Sequence, residues 1–261
     1  MSSPTLHFDV HQGDGPPVLL VHGIMAGRAL WNANLTALRR VSTPVVVELH
    51  GHGRSTTPTD MRAYQWQWYS EEFERIRSDV GVDRWFVGGQ SLGAALTLRY
   101  VIAYPERVIG HVMTNSVSAL SSRVASGPEL AEAAQQLEVG GRAALNGHRL
   151  NPARSRRIVP AVRDGLVEDQ VLLDPHGIAM AMRHTVDGIS SRANVGENHV
   201  PTLVVSGTRE AAFEEPCAFA ETQMPLVRVA RVDAGHSPNA ETPHEFNRVV
   251  TDFFTELLTV C

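Results

Sequence analysis

Apolar residues fall in short unbroken runs separated by longer amphipathic stretches. Val18-Leu19-Leu20-Val21, Val45-Val46-Val47, Trp85-Phe86-Val87, Val108-Ile109-Gly110-His111-Val112-Met113-Thr114 and Leu203-Val204-Val205 are the clearest. Runs of this length, rich in β-branched residues, predict strands covered on both faces. Weaker alternation over 6–10 predicts an edge strand, and 226–232 reads as the last strand. Helical spacing predicts helices over about 29–40, 66–79, 94–101, 212–221 and 243–258. Strands therefore alternate with helices, and each strand ends in a glycine-containing loop. That is the pattern of an α/β fold with a doubly wound, mostly parallel sheet. Working residues in such sheets collect at the carboxyl ends of the strands.

The alternation stops between 118 and 199. No strand is predicted there, and helices are expected over 129–139, 151–166 and 178–189. A structureless loop of this length is improbable in a compact domain. The expected organisation is a core of residues 1–117 and 200–261 carrying an inserted helical cap over 118–199.

Composition removes several functions. The chain has 261 residues and a formal net charge of -5, with no long basic block, so nucleic acid is not an expected partner. No apolar stretch is long enough to cross a bilayer, and the N-terminus lacks the basic start and apolar core of a signal peptide. Cys217 and Cys261 have no metal-type or redox-type spacing, which suits a reducing, cytoplasmic compartment. The sequence contains no lysine, so a Schiff base, a phosphate-loop lysine and a serine–lysine dyad are all excluded.

Gly88-Gly89-Gln90-Ser91-Leu92-Gly93 lies between a predicted strand and a predicted helix. G-x-S-x-G in that context holds the serine on a tight, strained turn with its hydroxyl exposed. Taken alone the motif is weak, and a phosphate-holding turn is the plain alternative. Three other landmarks decide between them: His22-Gly23, Gly51-His52-Gly53-Arg54-Ser55 and Gly235-His236-Ser237-Pro238. In this order and spacing the sequence resembles the α/β-hydrolase superfamily, in particular its capped serine hydrolases. The resemblance spans the chain except the cap.

The resemblance implies Ser91 as nucleophile and His236 as its base. It places the acid in the loop after Gly207, where Glu210 stands; the usual residue there is Asp, one methylene shorter. Glu214 and Glu215 are nearby alternatives, whereas Asp233 is only three residues from His236. Asn115-Ser116 offers no carboxylate at the other position some relatives use. The oxyanion hole is expected from the backbone N–H groups of Ile24 and Leu92. No cofactor is implied, and neither H-e-x-x-h nor Cys/His ligand spacing is present among the twelve histidines, so no metal is expected. His22, His50 and His52 are read as loop-shaping residues. Arg154, Arg156, Arg157, Arg183 and Arg192 of the cap are candidates to read an acidic substrate, with solvated surface charge as the favoured alternative; Met180 and Met182 are read as packing under the cap, and Trp31 and Trp66 as core.

The expected partner is a small-molecule acyl substrate, met by a monomer or homodimer. The expected reaction is hydrolysis of a carboxylic ester or lactone. Two rivals stand beside it: C–C bond or enol-lactone hydrolysis of a carboxylate-bearing ring-cleavage product, and a ligand receptor with a vestigial triad.

Overall fold

The computed structural model describes residues 4–123 and 127–260. The first three residues, residues 124–126 within the predicted cap, and Cys261 lie outside the described residues. The strands are β1 (His7–Val10), β2 (Pro17–Val21), β3 (Thr43–Glu48), β4 (Trp85–Gln90), β5 (Val108–Thr114), β6 (Thr202–Gly207) and β7 (Val227–Val232). They form one seven-stranded sheet in the order β1-β3-β2-β4-β5-β6-β7. β1 pairs antiparallel with β3, and all other pairs are parallel. After β2 the chain steps outward to β3, then returns to the far side of β2 for β4. At such a reversal neighbouring loops diverge and leave a crevice beyond the strands' carboxyl ends.

Helices α1 (Asn32–Leu38), α2 (Trp66–Val80) and α3 (Leu92–Ala103) alternate with the first strands. Between β5 and β6 lie α4 (Val117–Leu120), α5 (Gly127–Gly147), α6 (Pro160–Asp169) and α7 (Pro175–Ala181). α8 (Glu214–Gln223) joins β6 to β7, and α9 (Pro238–Glu241) and α10 (Pro243–Val260) follow β7.

The continuous apolar runs divide between two faces because successive strand side chains point in opposite directions. Leu19, Val21, Val45, Val47, Val87 and Met113 form one core with Phe73 and Ile76 of α2 and Leu96 of α3. Val18, Leu20, Val46, Phe86 and Val112 form the other, closed by Leu38 of α1 and by α10. α10 contributes Phe246, Val250, Phe253 and Phe254, a stripe at i, i+4, i+7 and i+8 that faces the sheet. Phe254 stacks on Phe86 with ring centroids 4.0 Å apart.

Departures from the expected elements cluster between β5 and β6. The helix expected over 129–139 extends to Gly147 across a break at Gly141, where φ is 54°. The helix expected over 151–166 is split. Asn151 accepts a hydrogen bond from the Ala153 N–H and opens a short turn at Pro152–Arg154. Pro160 then starts α6, because proline fits a helix's first turn and not its interior. The helix expected over 178–189 starts earlier, where Asp174 caps the His176 N–H at 2.9 Å. It ends in a wider π turn over Met182–Val186.

These helices have small cores of their own, and both reach the loop after β2. Met25 packs with Leu137, Leu145, Ile178 and Met182. Ala26, Ala29 and Leu30 pack with Ile158, Val162 and Leu166. Trp31 is buried as expected, whereas Trp66 is half-buried beneath the Arg99 guanidinium.

Phe254→Ala removes a fully buried ring stacked on the central strand. It is expected to cost about 3–5 kcal/mol of stability, read from urea unfolding. A loss below about 1 kcal/mol would contradict the packing described.

Candidate active site

Ser91 connects β4 to α3 with φ 54° and ψ -116°. A non-glycine residue held in such a region costs about 1–3 kcal/mol and persists only where its surroundings fix it. They do so here from several sides. The Ser116 hydroxyl donates to the Ser91 carbonyl at 2.7 Å, and the Ala95 N–H donates to the same oxygen at 3.1 Å. A Cβ on Gly93 would collide with the carbonyl of Val21, and one on Gly89 with the carbonyl of Gly93. Strand β2, the turn and α3 therefore meet at backbone distance. The Leu92 N–H is the first of α3 and has no preceding helical turn to receive it.

The loop after β2 is held by two neutral histidines. His22 Nδ1–H donates to the Gly23 carbonyl at 2.8 Å, and its Nε2 accepts from the Leu49 N–H at 3.1 Å. His52 Nδ1–H donates to the His50 carbonyl at 2.9 Å, and its Nε2 accepts from the Met25 N–H at 3.0 Å. Each ring thus has one donor and one acceptor nitrogen in use, which fixes the uncharged tautomer. Burial pushes both imidazoles below their ordinary range. Together they tie the ends of β2 and β3 and hold Met25 at φ 57° beside Ile24. Among the described residues the Ile24 N–H makes no hydrogen bond. His22, His50 and His52 shape loops, as expected.

His236 and Glu210 are brought together across two loops. His236 Nδ1 lies 2.8 Å from Glu210 Oε1. Asn115 Nδ2 donates to Glu210 Oε2 at 2.7 Å and to the Gly235 carbonyl at 3.1 Å, while its Oδ1 accepts from the Gly207 N–H at 2.8 Å. Burial pushes the Glu210 carboxyl up, but the His236 and Asn115 interactions outweigh it and hold the pKa below its usual value. Two of the alternative acids are engaged elsewhere: Asp233 pairs with Arg209, and Glu215 with Arg192 at 2.7 Å. Glu214 is exposed and is not among the residues lining the cavity of Ser91 and His236. The His236 loop is fixed by Glu241, which accepts from the Gly235 N–H at 2.7 Å and the Ser237 N–H at 3.1 Å. Gln90 Nε2 donates to the His236 carbonyl at 3.1 Å.

Ser91, Ile24, Leu92, Glu210 and His236 all line one cavity of about 540 Å³. Among the described residues Ser91 Oγ makes no hydrogen bond, to His236 or to any other group. Serine–histidine bonds are often long in unliganded sites and tighten around the reacting group.

The sequence profile described as the alpha/beta hydrolase family matches residues 18–249. The chain belongs to the alpha/beta hydrolase family. Among curated relatives of this family member, carboxylesterase YbfK of Bacillus subtilis is 25% identical over 254 residues, covering 92% of this chain and 80% of that protein. The human 1-acylglycerol-3-phosphate O-acyltransferase ABHD5 is also 25% identical, over 285 residues, covering 95% and 80%. The enol-lactonase from Burkholderia xenovorans superposes with a TM-score of 0.82 at 21% identity, covering 96% of each chain. A thermophilic esterase from Thermogutta terrifontis gives 0.79 at 22% identity, covering 97% of this chain and 93% of that one. At these identities the structural likenesses show the fold.

Several features of this hydrolase escaped sequence reasoning. Asn115 and Gln90 hold the histidine and its acid, but buried amides carry no motif. Their position at the carboxyl ends of β5 and β4 was the available signal. Of the arginines expected to be solvated, Arg183 pairs with Glu138 at 2.7 Å and Arg192 pairs with Glu215 over the Phe219 ring. The arginines that line the cavity are Arg123 and Arg149. Met182 packs beneath α5 and Met180 against Tyr64. Among the described residues no group of three or more His, Cys, Asp or Glu is placed to hold a metal ion.

Buried histidines give the stability a pH signature. Burial lowers His50 to about 4 and His111 to about 3, against about 6.5 for an unfolded imidazole. Below about pH 6.5 the unfolded chain takes up protons that the folded chain refuses until pH falls to those lower values. Stability is therefore full above pH 6.5 and falls as the pH is lowered toward 4. Calorimetric melting between pH 7.5 and 4.5 should show Tm falling across this window, less steeply in His50→Gln. A flat wild-type profile would contradict neutral burial.

Proposed function

We propose that this protein is a serine hydrolase that cleaves a carboxylic ester or lactone of a small molecule through an acyl-enzyme on Ser91. The observation that carries the reading is the 2.8 Å contact between His236 and an ionised Glu210 in the wall of the cavity that holds Ser91 on its strained turn. A serine hydroxyl is unreactive until a base removes its proton during attack. In this reading His236 Nε2 takes that proton. Glu210 keeps Nδ1 protonated and stabilises the imidazolium that forms. The 45% exposed His236 side chain is open to a substrate, while the acid behind it is half-buried.

The substrate carbonyl lies between Ser91 and the N–H groups of Ile24 and Leu92. As Ser91 Oγ bonds to carbon, the carbonyl oxygen becomes an oxyanion facing these two donors. Removing one such donor costs about 10²–10³ in rate in other acyl-transfer enzymes. The imidazolium then protonates the leaving alcohol. Water, deprotonated by the same histidine, attacks the acyl-enzyme and returns Ser91. The sequence as written uses no metal or cofactor. The carboxylesterase name of the Bacillus subtilis relative agrees with this reaction class.

Residues 118–199 act in this reading as a cap. Arg149, Leu150, Pro152, Ser155, Ile158 and Val186 from this segment line the cavity opposite the sheet edge. They would shape the acyl pocket and exclude water from the reacting carbonyl.

A fluorophosphonate probe is expected to label Ser91, and Ser91→Ala to abolish the labelling, read by peptide mass spectrometry. An unlabelled wild type would contradict the reading. Glu210→Gln should lower kcat for a 4-nitrophenyl ester by about 10⁴, as loss of a triad acid does elsewhere. Activity within about tenfold of wild type would remove Glu210 from the relay. Asn115→Ala, which frees the carboxylate without removing it, should fall between the two.

A further inference from the structure

Arg123 and Arg149 differ from the other arginines around the helical segment in lining a cavity. Among the described residues neither guanidinium has a carboxylate partner or a hydrogen bond, which holds for the exposed Arg156 and the half-buried Arg163 as well, whereas Arg183 and Arg192 are each matched to a glutamate. Both line the cavity above Ser91. Both also line a second chamber of about 960 Å³ beneath α5, which shares Leu150 and Val186 with the first. Leu130, Ala133, Leu137 and Met182 make the second chamber's wall largely apolar, with Glu129 and His148 also in it. Two unmatched cations therefore stand in the wall shared by the cavity above Ser91 and an apolar one.

We propose that Arg123 and Arg149 bind an anionic group, a carboxylate or a phosphate, carried by the substrate of the Ser91 site. This rests on the hydrolase reading for the identity of the bound molecule. The substrate class is an acyl compound whose scissile carbonyl reaches Ser91, whose anion sits at the junction of the chambers, and whose apolar remainder enters the second chamber. The planar guanidinium fork matches the paired oxygens of either anion, and its charge persists at any working pH. Glu210 and Glu241 lie in the wall of the first cavity but are already engaged, by His236 and Asn115 and by the Gly235 and Ser237 N–H groups. Neither neutralises the arginines. The two guanidinia are exposed, so their pull is screened by salt and is a matter of selectivity more than of raw affinity.

The test uses the full chain with two readouts. In the first, octanoate, octyl phosphate and 1-octanol are titrated calorimetrically into wild type, Arg123→Gln/Arg149→Gln and Arg123→Lys/Arg149→Lys. At least one anion is expected to bind wild type about tenfold or more tighter than octanol, as charge-assisted hydrogen bonds allow. The Gln variant should lose that preference and the Lys variant keep part of it; the better anion shows whether carboxylate or phosphate is favoured. In the second, wild type and both variants hydrolyse mono-4-nitrophenyl adipate and its methyl ester, which differ only in the free carboxylate. The acid-to-methyl-ester ratio of kcat/KM is expected to fall about tenfold in the Gln variant. Arginine-dependent anion binding without turnover of either ester would uphold the anion site and sink the hydrolase reading. Turnover of both esters with binding and ratio indifferent to both arginines would overturn the anion site and leave the hydrolase standing. Octanol binding as tightly as both anions, or no binding of any probe, would overturn it too.

Discussion

The architecture hinges on how closely three backbones approach one another beneath Ser91. β2, the turn at the end of β4 and the first turn of α3 touch through Gly89 and Gly93, where any side chain would strike a carbonyl. That contact sets the turn so tightly that Ser91 must take φ 54°. Parallel pairing of β2 with β4 and the close packing of α3 hold the strained residue in place. The same contact puts the first N–H of α3 beside the loop after β2, so serine and helix terminus face one space. A second close approach, where a Cβ on Gly207 would strike the Gly235 carbonyl, presses the loops of Glu210 and His236 together. Two pairs of glycines thus bring residues far apart in the chain to one sheet edge.

The acid side of the site shows how the fold absorbs a longer side chain. Glu210 reaches His236 from a loop on which a shorter acid would be the familiar choice. Its extra methylene is accommodated because Asn115, fully buried at the end of β5, grips the second carboxylate oxygen. The same amide binds the backbone of both loops, so one side chain sets the acid, the histidine loop and the spacing between them. The loop after β2 is governed by the same economy. Two histidines kept neutral by burial hold it from the β3 side, and Met25 and Ala26 plug it into the helical segment above. The β2 loop is therefore clamped between sheet and helices.

What the sequence revealed depended on whether local pattern or long-range contact fixed each feature. Strands β2 to β6 were legible because a strand covered on both faces must be apolar throughout. Ser91 and His236 were legible because turns that need glycine leave a written trace. Glu210 was nameable only through the resemblance, since three glutamates stand close together and only the fold turns one toward the histidine. Asn115 reads in the sequence only as a position without a charge, because nothing local says that an amide at one strand end will hold an acid from another. The helices between β5 and β6 were legible in kind and not in extent. Pro160 and Asp174 define starts, but the break at Gly141 and the π turn over Met182–Val186 answer to packing on Met25 and Tyr64. That Arg123 and Arg149, and not Arg183 or Arg192, line the cavity is illegible for the same reason: charge is visible in a sequence, and its direction is not.

The central claim is that the serine, histidine and acid act on one carbonyl held by two backbone donors. A crystal structure of the adduct between Ser91 and a small alkyl phosphonate tests it most directly. The account predicts the phosphonyl oxygen within about 3 Å of both the Ile24 and Leu92 nitrogens, the distance of a working oxyanion donor. It also predicts His236 Nε2 within hydrogen-bond reach of Ser91 Oγ. An adduct whose oxygen points away from both nitrogens, with the imidazole out of reach of Ser91 Oγ, would contradict it.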